Sequence, residues 1–323
     1  MMKTFFSVLL LLAGLCGMSS CSKKDNANTP DGNSTAALGS GSIYYDWSEL
    51  NSLAVTYQLD LAGSVRSKAL QYDPDRHAWD ISRDGSIMLQ SVQDPNDYDG
   101  ELYRIIDRNT GQTLSQFKKQ GTTLSSFTEP LLSPGKDLIA VPPTFDRGLL
   151  ILNRQGQLLH EVVTIGGQKI KGHICWMPDN SILCTVGNII YRLNNTYTYG
   201  DVVRTLDFND WNHVTASNDG TLIAFAGGKH IWLMQADGSN LKQVTTSTDV
   251  EGYPVFSPDG RYLLIGTDYV GEENAINRWK LAIIPADGQL YNVDDGADNH
   301  VIPIRLKNSE STQELCDYLM EWR

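Results

Sequence analysis

The stretch VFSPDGRYLLIGTD, residues 255–268, is an apolar run, a Pro-Asp-Gly turn and a second apolar run. Gly tolerates the positive φ of a tight reversal and Asp bonds back to its own backbone, so a hairpin is expected there. The signal recurs. WDISRDGSIMLQS centres on Gly85, PLLSPGKDLIAV on Lys136, CWMPDNSILCTV on Asn180 and VTASNDGTLIAFA on Gly220. With Gly260 in the first stretch, successive centres lie 51, 44, 40 and 40 residues apart. Each turn is followed by a third apolar run (ELYRIIDRNTG, GLLILNRQG, IIYRLN, HIWLMQADG, WKLAIIPADG) and then by a more polar segment such as SNLKQVTTS at 239–247.

One unit is therefore four antiparallel strands, rich in the Ile, Leu, Val, Tyr and Trp that half-buried strands favour. No stretch sustains a helical period. Such a sheet has two apolar faces and cannot cover both alone, so repetition at about 40 residues predicts radial packing as a β-propeller. The fold class is all-β.

The pattern FSPDGRYLLIGTD…LAIIPADG resembles the WD-type repeats of TolB-like β-propellers, over roughly residues 43–323. The resemblance implies a six-bladed ring and an interaction role in the bacterial envelope. It says little about the ligand, because one fold hosts many functions.

Five units carry a clear first turn. Ahead of Gly85, SIYYDW, SLAVTYQLDLAG and SVRSKALQ read as second, third and fourth strands without a first. At the other end CDYLMEWR follows the last unit. The expectation is that it supplies the missing innermost strand of the first blade, with Trp322 where Phe256 and Trp176 sit in theirs. That gives six blades, with an irregular seventh as the alternative.

The first twenty residues, MMKTFFSVLLLLAGLCGMSS, hold one Lys, an apolar core from Phe5 to Leu15 and small residues before Cys21. This is a secretory signal, too short for a stable membrane span. MSSC resembles a bacterial lipobox, which makes Cys21 the lipidated residue; Cys16 fits less well because Leu15 precedes it. A cleaved signal with a chance Cys is the alternative. Residues 22–42, SKKDNANTPDGNSTAALGSGS, lack the apolar groups that offset ordering entropy and read as a tether. The organisation is thus signal 1–20, anchor and tether 21–42, propeller 43–323. The anchor places the protein in the cell envelope, on the outer membrane, with the periplasmic and surface-exposed sides both open.

Without Lys3 there are 25 basic residues against 38 acidic ones, a net of −13. Such a chain repels phosphate backbones, so nucleic acid is excluded as a partner. Cations, neutral glycans and proteins remain, and the chain is expected to be a monomer that meets membrane only through its lipid.

Aligned on the turn, the residue seven positions earlier is Ala78, Glu129, His173, His213 and Tyr253. First strands line a propeller's channel, so these positions should form a ring around it. Glu129, His173 and His213 would stand in adjacent blades three, four and five, with Tyr253 next in blade six. Two His with a carboxylate can hold a divalent metal or act as an acid–base pair. The alternative is a polar wall of a wet channel. Loops between second and third strands should open on the same face. Two are acidic, with Asp94, Asp97, Asp99 and Glu101 in one and Asp268, Glu272 and Glu273 in the other. DYDGE resembles part of a calcium loop without its full ligand spacing. Trp211, Tyr98 and Tyr269 offer stacking surfaces at that mouth, or ordinary packing. Cys175 and Cys184 fall opposite each other if the PDNS turn is symmetric, which leaves a disulfide or two free thiols.

There is no G-x-S-x-G, H-E-x-x-H, phosphate loop or dinucleotide fingerprint. Two readings follow. The first is a lipid-anchored propeller that binds a protein, peptide or glycan through Glu129, His173, His213, Tyr253 and Trp211. The second is a carbohydrate-active enzyme similar to oligogalacturonate lyases; that resemblance implies His173 and His213 as metal ligands and Glu129 as third ligand or base. The acidic loops work against binding uronates and favour the first reading. No cofactor is required by it; a divalent metal is the one the second implies.

Overall fold

The computed structural model describes residues 38, 41–48, 55–62, 64–119, 128–209, 211–270, 278–307, 312–317 and 319–323. The signal segment 1–20, Cys21 and the tether to residue 37 lie outside the described residues, as do Glu272 and Glu273. All regular structure in the described residues is β.

Six antiparallel sheets form the blades of a propeller. In blade one the innermost strand is the C-terminal Met320–Trp322, followed outward by Ser42–Trp47, Val55–Asp60 and Val65–Leu70. Ile43 pairs with Trp322 and Tyr45 with Met320, so the two ends of the chain close the ring as expected. Blades two to five run Arg76–Ile81 to Thr113–Lys118, Leu131–Leu132 to Leu158–Val162, Ile174–Trp176 to Gly200–Thr205, and Trp211–Ala216 to Lys242–Gln243. Blade six starts at Gly252–Phe256 and continues through Tyr262–Val270 and Arg278–Pro285.

Each first turn is held by a side-chain clip. In blade six Ser257 Oγ donates to Asp259 Oδ1 at 2.7 Å and accepts from the Tyr262 amide at 3.0 Å, while Gly260 takes φ +72°. Ser217 with Asp219 and Ser82 with Asp84 repeat the arrangement, with Gly220 and Gly85 at φ +72° and +71°. Asn180 and Lys136 take the same left-handed conformation in blades four and three. Asn does so at little cost; Lys does not, and its Nζ is tied to Asp84 of the neighbouring blade at 2.6 Å.

The hydrophobic core lies between blades. Ile43, Tyr45 and Leu59 of blade one pack with Leu264, Leu281 and Ile283 of blade six, and Trp322 is sealed among them. Trp176 and Phe256, each ending its innermost strand, are buried likewise, which bears out the expected equivalence. Fully burying each Leu, Ile or Phe is worth about 1.5–3 kcal/mol, so these seams stabilise the ring against opening.

Several features depart from the simple repeat, among them a parallel pairing of Thr245–Thr246 with Tyr291–Asn292. Blade six has five strands, because Ile302–Pro303 and Leu315–Cys316 share one edge of Arg278–Pro285. A hairpin, Thr164–Ile165 with Gln168–Lys169, is inserted between blades three and four. Leu38, within the stretch read as tether, is only 1% exposed and packs on Leu59 and Leu61, so the packed unit begins before residue 43.

The disulfide alternative for Cys175 and Cys184 fails on register. Cys184 pairs with Ile174 and Cys175 with Leu183, so the two thiols leave opposite faces of the sheet. The turn is asymmetric: three residues, Pro178 to Asn180, separate Met177 from Ser181, and the left-handed Asn180 absorbs the odd residue. Cys175, Cys184 and Cys316 are all free thiols.

Candidate functional site

The six innermost strands surround a cavity of ≈ 650 Å³. Strands run from one face of the ring, where the longer loops lie, to the face that carries the Ser-x-Asp-Gly turns. Side chains alternate along a strand, so every second residue of each innermost strand points into the channel. Equivalent positions therefore form layers.

The layer nearest the loops holds Glu129, His173, His213, Tyr253 and Leu319, from blades three, four, five, six and one, and all five line the cavity. The position seven before the turn is thus a channel ring. The rings of His173 and His213 lie 4.4 Å apart between centroids, and those of His213 and Tyr253 3.6 Å apart at 33°. Tyr253 continues edge-on to Trp279 at 5.4 Å, and Trp279 to Tyr269 at 4.7 Å. His173, His213 and Tyr253 face the cavity, and Trp279 and Tyr269 continue the row of rings behind them.

Local backbone geometry places two of them. His213 and Tyr253 have φ of +52° and +51°, each where pairing with the second strand shifts register. Such bulges re-aim a side chain. A left-handed Tyr is rare and costs on the order of 1 kcal/mol, held in place by the surrounding packing.

Desolvation by the enclosing channel wall sets the charge state of this layer. It pushes the half-buried His213 down to about 3, with the adjacent His173 adding to the effect, and lowers His173 as well although its ring opens onto the lumen. Both imidazoles are neutral at pH 7. His213 Nδ1 is buried without a hydrogen-bond partner. Glu129 opens onto the lumen, yet the enclosing wall raises its carboxyl above the ordinary range. Among the described residues no group of three His, Cys, Asp or Glu side chains converges as a metal site.

The next layer, five residues before the turn, is Asp80, Leu131, Cys175, Thr215, Val255 and Glu321. Burial raises both Asp80 and Glu321, and they share the guanidinium of Arg323, at 3.5 Å and 2.7 Å. Asp80 Oδ2 also accepts from the Leu132 amide at 2.6 Å, and Arg323 Nε donates to the Ile81 carbonyl at 2.7 Å. This cluster ties blade one to blade two and blade two to blade three.

Below it Arg83, in the first turn of blade two, reaches across the ring. Its Nη1 donates to the Asn218 carbonyl of blade five at 3.2 Å and its Nη2 to the Trp176 carbonyl of blade four at 3.3 Å.

At the mouth the loop Pro142-Pro143-Thr144-Phe145 lines the cavity, and Phe145 is 91% exposed. Sequence reasoning passed over this loop, although an aromatic beside two prolines between strands was a visible sign. Trp211 stands apart from the channel lining: its Nε1 donates to the Gly187 carbonyl at 2.8 Å and its ring packs edge-on to Phe225 at 5.7 Å. Of the acidic loop residues, Glu101 is buried and paired with Lys119 at 2.8 Å, while Asp97 pairs with Lys118 at 2.6 Å. Asp268 pairs with Lys280.

A second cavity of ≈ 310 Å³ lies in the outer part of blade six, against Asp294, Asp295, Asp298 and Arg305. Its carboxylates are engaged, Asp295 with Arg305 and Asp298 with the His300 amide and ring.

Two solved structures have this architecture. TolB from Acinetobacter baumannii superposes with a TM-score of 0.61 at 16% identity, over 87% of this chain and 66% of that one. A structure assigned as TolB from Agrobacterium tumefaciens gives 0.54 at 17% identity, over 78% of this chain and 87% of that one. The chain thus spans about two thirds of the length of the first. Similarity at this level establishes the six-bladed β-propeller fold. No family model matches the chain, and no curated protein matches it.

Proposed function

We propose that this protein is an envelope-anchored binding propeller that holds a protein, peptide or glycan partner at the channel mouth. The observation that carries the reading is the mouth itself. An open cavity is lined by the His173, His213 and Tyr253 rings, backed behind Tyr253 by the buried Trp279, and rimmed by the exposed Phe145. Large exposed aromatics beside a concave apolar surface are the usual anchors of recognition, because they bury much area at little entropy cost. The TolB-like architecture agrees with an envelope interaction role, and Cys21 would supply the lipid anchor.

The test uses the full chain as bait on envelope extracts and glycan arrays, beside the Phe145→Ser and Tyr253→Ala variants. A partner retained by the parent chain and lost by both variants supports the face. Equal retention by all three refutes it. Anchoring is tested separately: Cys21→Ser should move the protein from the membrane to the soluble fraction.

A metal-dependent enzyme is the second reading, favoured by the neutral His173–His213 pair and the unpartnered His213 Nδ1. His173 and His213 would be ligands, and Glu129 the third ligand or the base. Metal analysis of the untagged full chain after incubation with zinc, nickel or manganese decides it. Stoichiometric metal that is lost in His173→Ala or His213→Ala would move this reading ahead.

A further inference from the structure

We infer that Arg83 is an anchor for a ligand carboxylate at the bottom of the channel. The inference rests on the channel being the binding site and adds the chemical class of what enters it.

The argument starts from how the channel's two guanidinium groups are used. Arg323 is engaged by Glu321 and Asp80 and donates to a backbone carbonyl. Arg83 also lines the cavity but donates only to the carbonyls of Trp176 and Asn218, and among the described residues no carboxylate forms an ion pair with it. A guanidinium has five N–H donors and stays charged at any physiological pH. Two of its bonds are spent on carbonyls of opposite blades, which fixes its plane across the channel. The remaining donors are available to the lumen.

Arg83 is half-buried and has no direct ion pair, although Asp80 and Glu321 act on it from a distance, and an entering anion that meets the guanidinium directly recovers part of its desolvation cost. The Arg fork matches a carboxylate in bidentate geometry better than any neutral acceptor. Asp80 and Glu321 oppose this only in part, because both are engaged by Arg323 at 3.5 Å and 2.7 Å and neither bonds Arg83 directly. Above Arg83 one side of the layer runs Leu131, Cys175, Thr215 and Val255 and is mostly apolar, so the acid should carry an apolar neighbour. A terminal amino acid with a free carboxylate fits; a uronate supplies the same carboxylate on a polar ring.

The experiment titrates the full chain with N-acetyl-leucine, N-acetyl-leucinamide and galacturonic acid by ligand-observed NMR. The expected result is that N-acetyl-leucine binds at least tenfold more tightly than its amide. In Arg83→Met the acid should lose that advantage, with Arg83→Lys intermediate. Galacturonic acid binding with the same Arg83 dependence would keep the carboxylate anchor and assign its source to a sugar. Equal binding of acid and amide by the parent chain overturns the inference, and that comparison holds even where Arg83→Met fails to fold. Binding of the acid unchanged in a folded Arg83→Met also overturns it. If no acid binds while Phe145→Ser still abolishes partner retention, the anchor falls and the binding face stands.

Discussion

Replacing Trp322 by Ala tests whether the C-terminal strand closes the ring. Trp322 is fully buried, on the innermost strand of blade one, within the seam that joins blades six and one. A buried Trp removes about 200 Å² from water, which at roughly 25 cal/mol per Å² is about 5 kcal/mol. Part is recovered as the seam relaxes around Ala, and truncations of this kind cost about 3–5 kcal/mol. A loss of about 4 kcal/mol is therefore expected from urea unfolding followed by circular dichroism. Phe145→Ser, at a 91% exposed position, is the control and should stay within about 0.5 kcal/mol of the parent. Removing residues 312–323 takes the whole strand and should leave a chain without the cooperative transition. A Trp322→Ala loss below about 1 kcal/mol, or a truncated chain that unfolds at the parent midpoint, would refute the reasoning.

Three further outcomes can be checked on the same chain. Asp317 is pushed up to about 6, chiefly by burial with Asp46 adding to it, and its Oδ1 has no partner. The folded state then holds a proton between the ordinary value of 3.8 and about 6 that the unfolded chain releases, so this group makes stability fall as pH rises through that window. Asp317→Asn should be more stable than the parent at pH 7.5, by on the order of 1–3 kcal/mol, and lose the advantage below pH ~4; equal urea midpoints at both pH values would count against it. Ser257→Ala breaks the turn clip of blade six and leaves the Tyr262 amide without its side-chain acceptor, at a cost of about 1–2 kcal/mol by thermal melting, whereas no change would show the clip to be idle. Alkylation of the unfolded chain without reductant should label Cys175, Cys184 and Cys316 completely, and a disulfide-linked peptide would contradict the observed register.

Much of the fold was legible because the signals that specify it are local and repeated. A tight turn between two apolar runs needs only five or six residues, and five copies, three of them Ser-x-Asp-Gly, made the period visible. Ring closure was legible through an absence: blade one lacked a first strand and the C terminus had one to spare. What failed was finer. The cysteine pairing turned on whether the hairpin loop held two residues or three, and a single left-handed Asn180 moved Cys175 to the face opposite Cys184. The second edge strand of blade six and the inserted hairpin ahead of Ile174–Trp176 are short pairs of two residues, below what alternation can reveal.

The site divides along the same line. Alignment on the turn found Glu129, His173, His213 and Tyr253, because a propeller stacks equivalent positions into rings and position alone predicts a shared layer. The same alignment, moved two residues on, would have found Asp80 and the polar layer beneath. Arg83 lies beyond its reach. Its role depends on the width of the ring, since a guanidinium from the turn of blade two meets the carbonyls of blades four and five only when the channel is about one Arg side chain across. Phe145 is hidden for the opposite reason: loops between second and third strands are the part of the unit that the repeat leaves unconstrained. Phe145 at the mouth and Arg83 at the floor are therefore the lining residues that the repeat does not dictate. In this chain the repeat builds the channel, while the departures from it supply the exposed aromatic at one end and a guanidinium held by backbone carbonyls at the other.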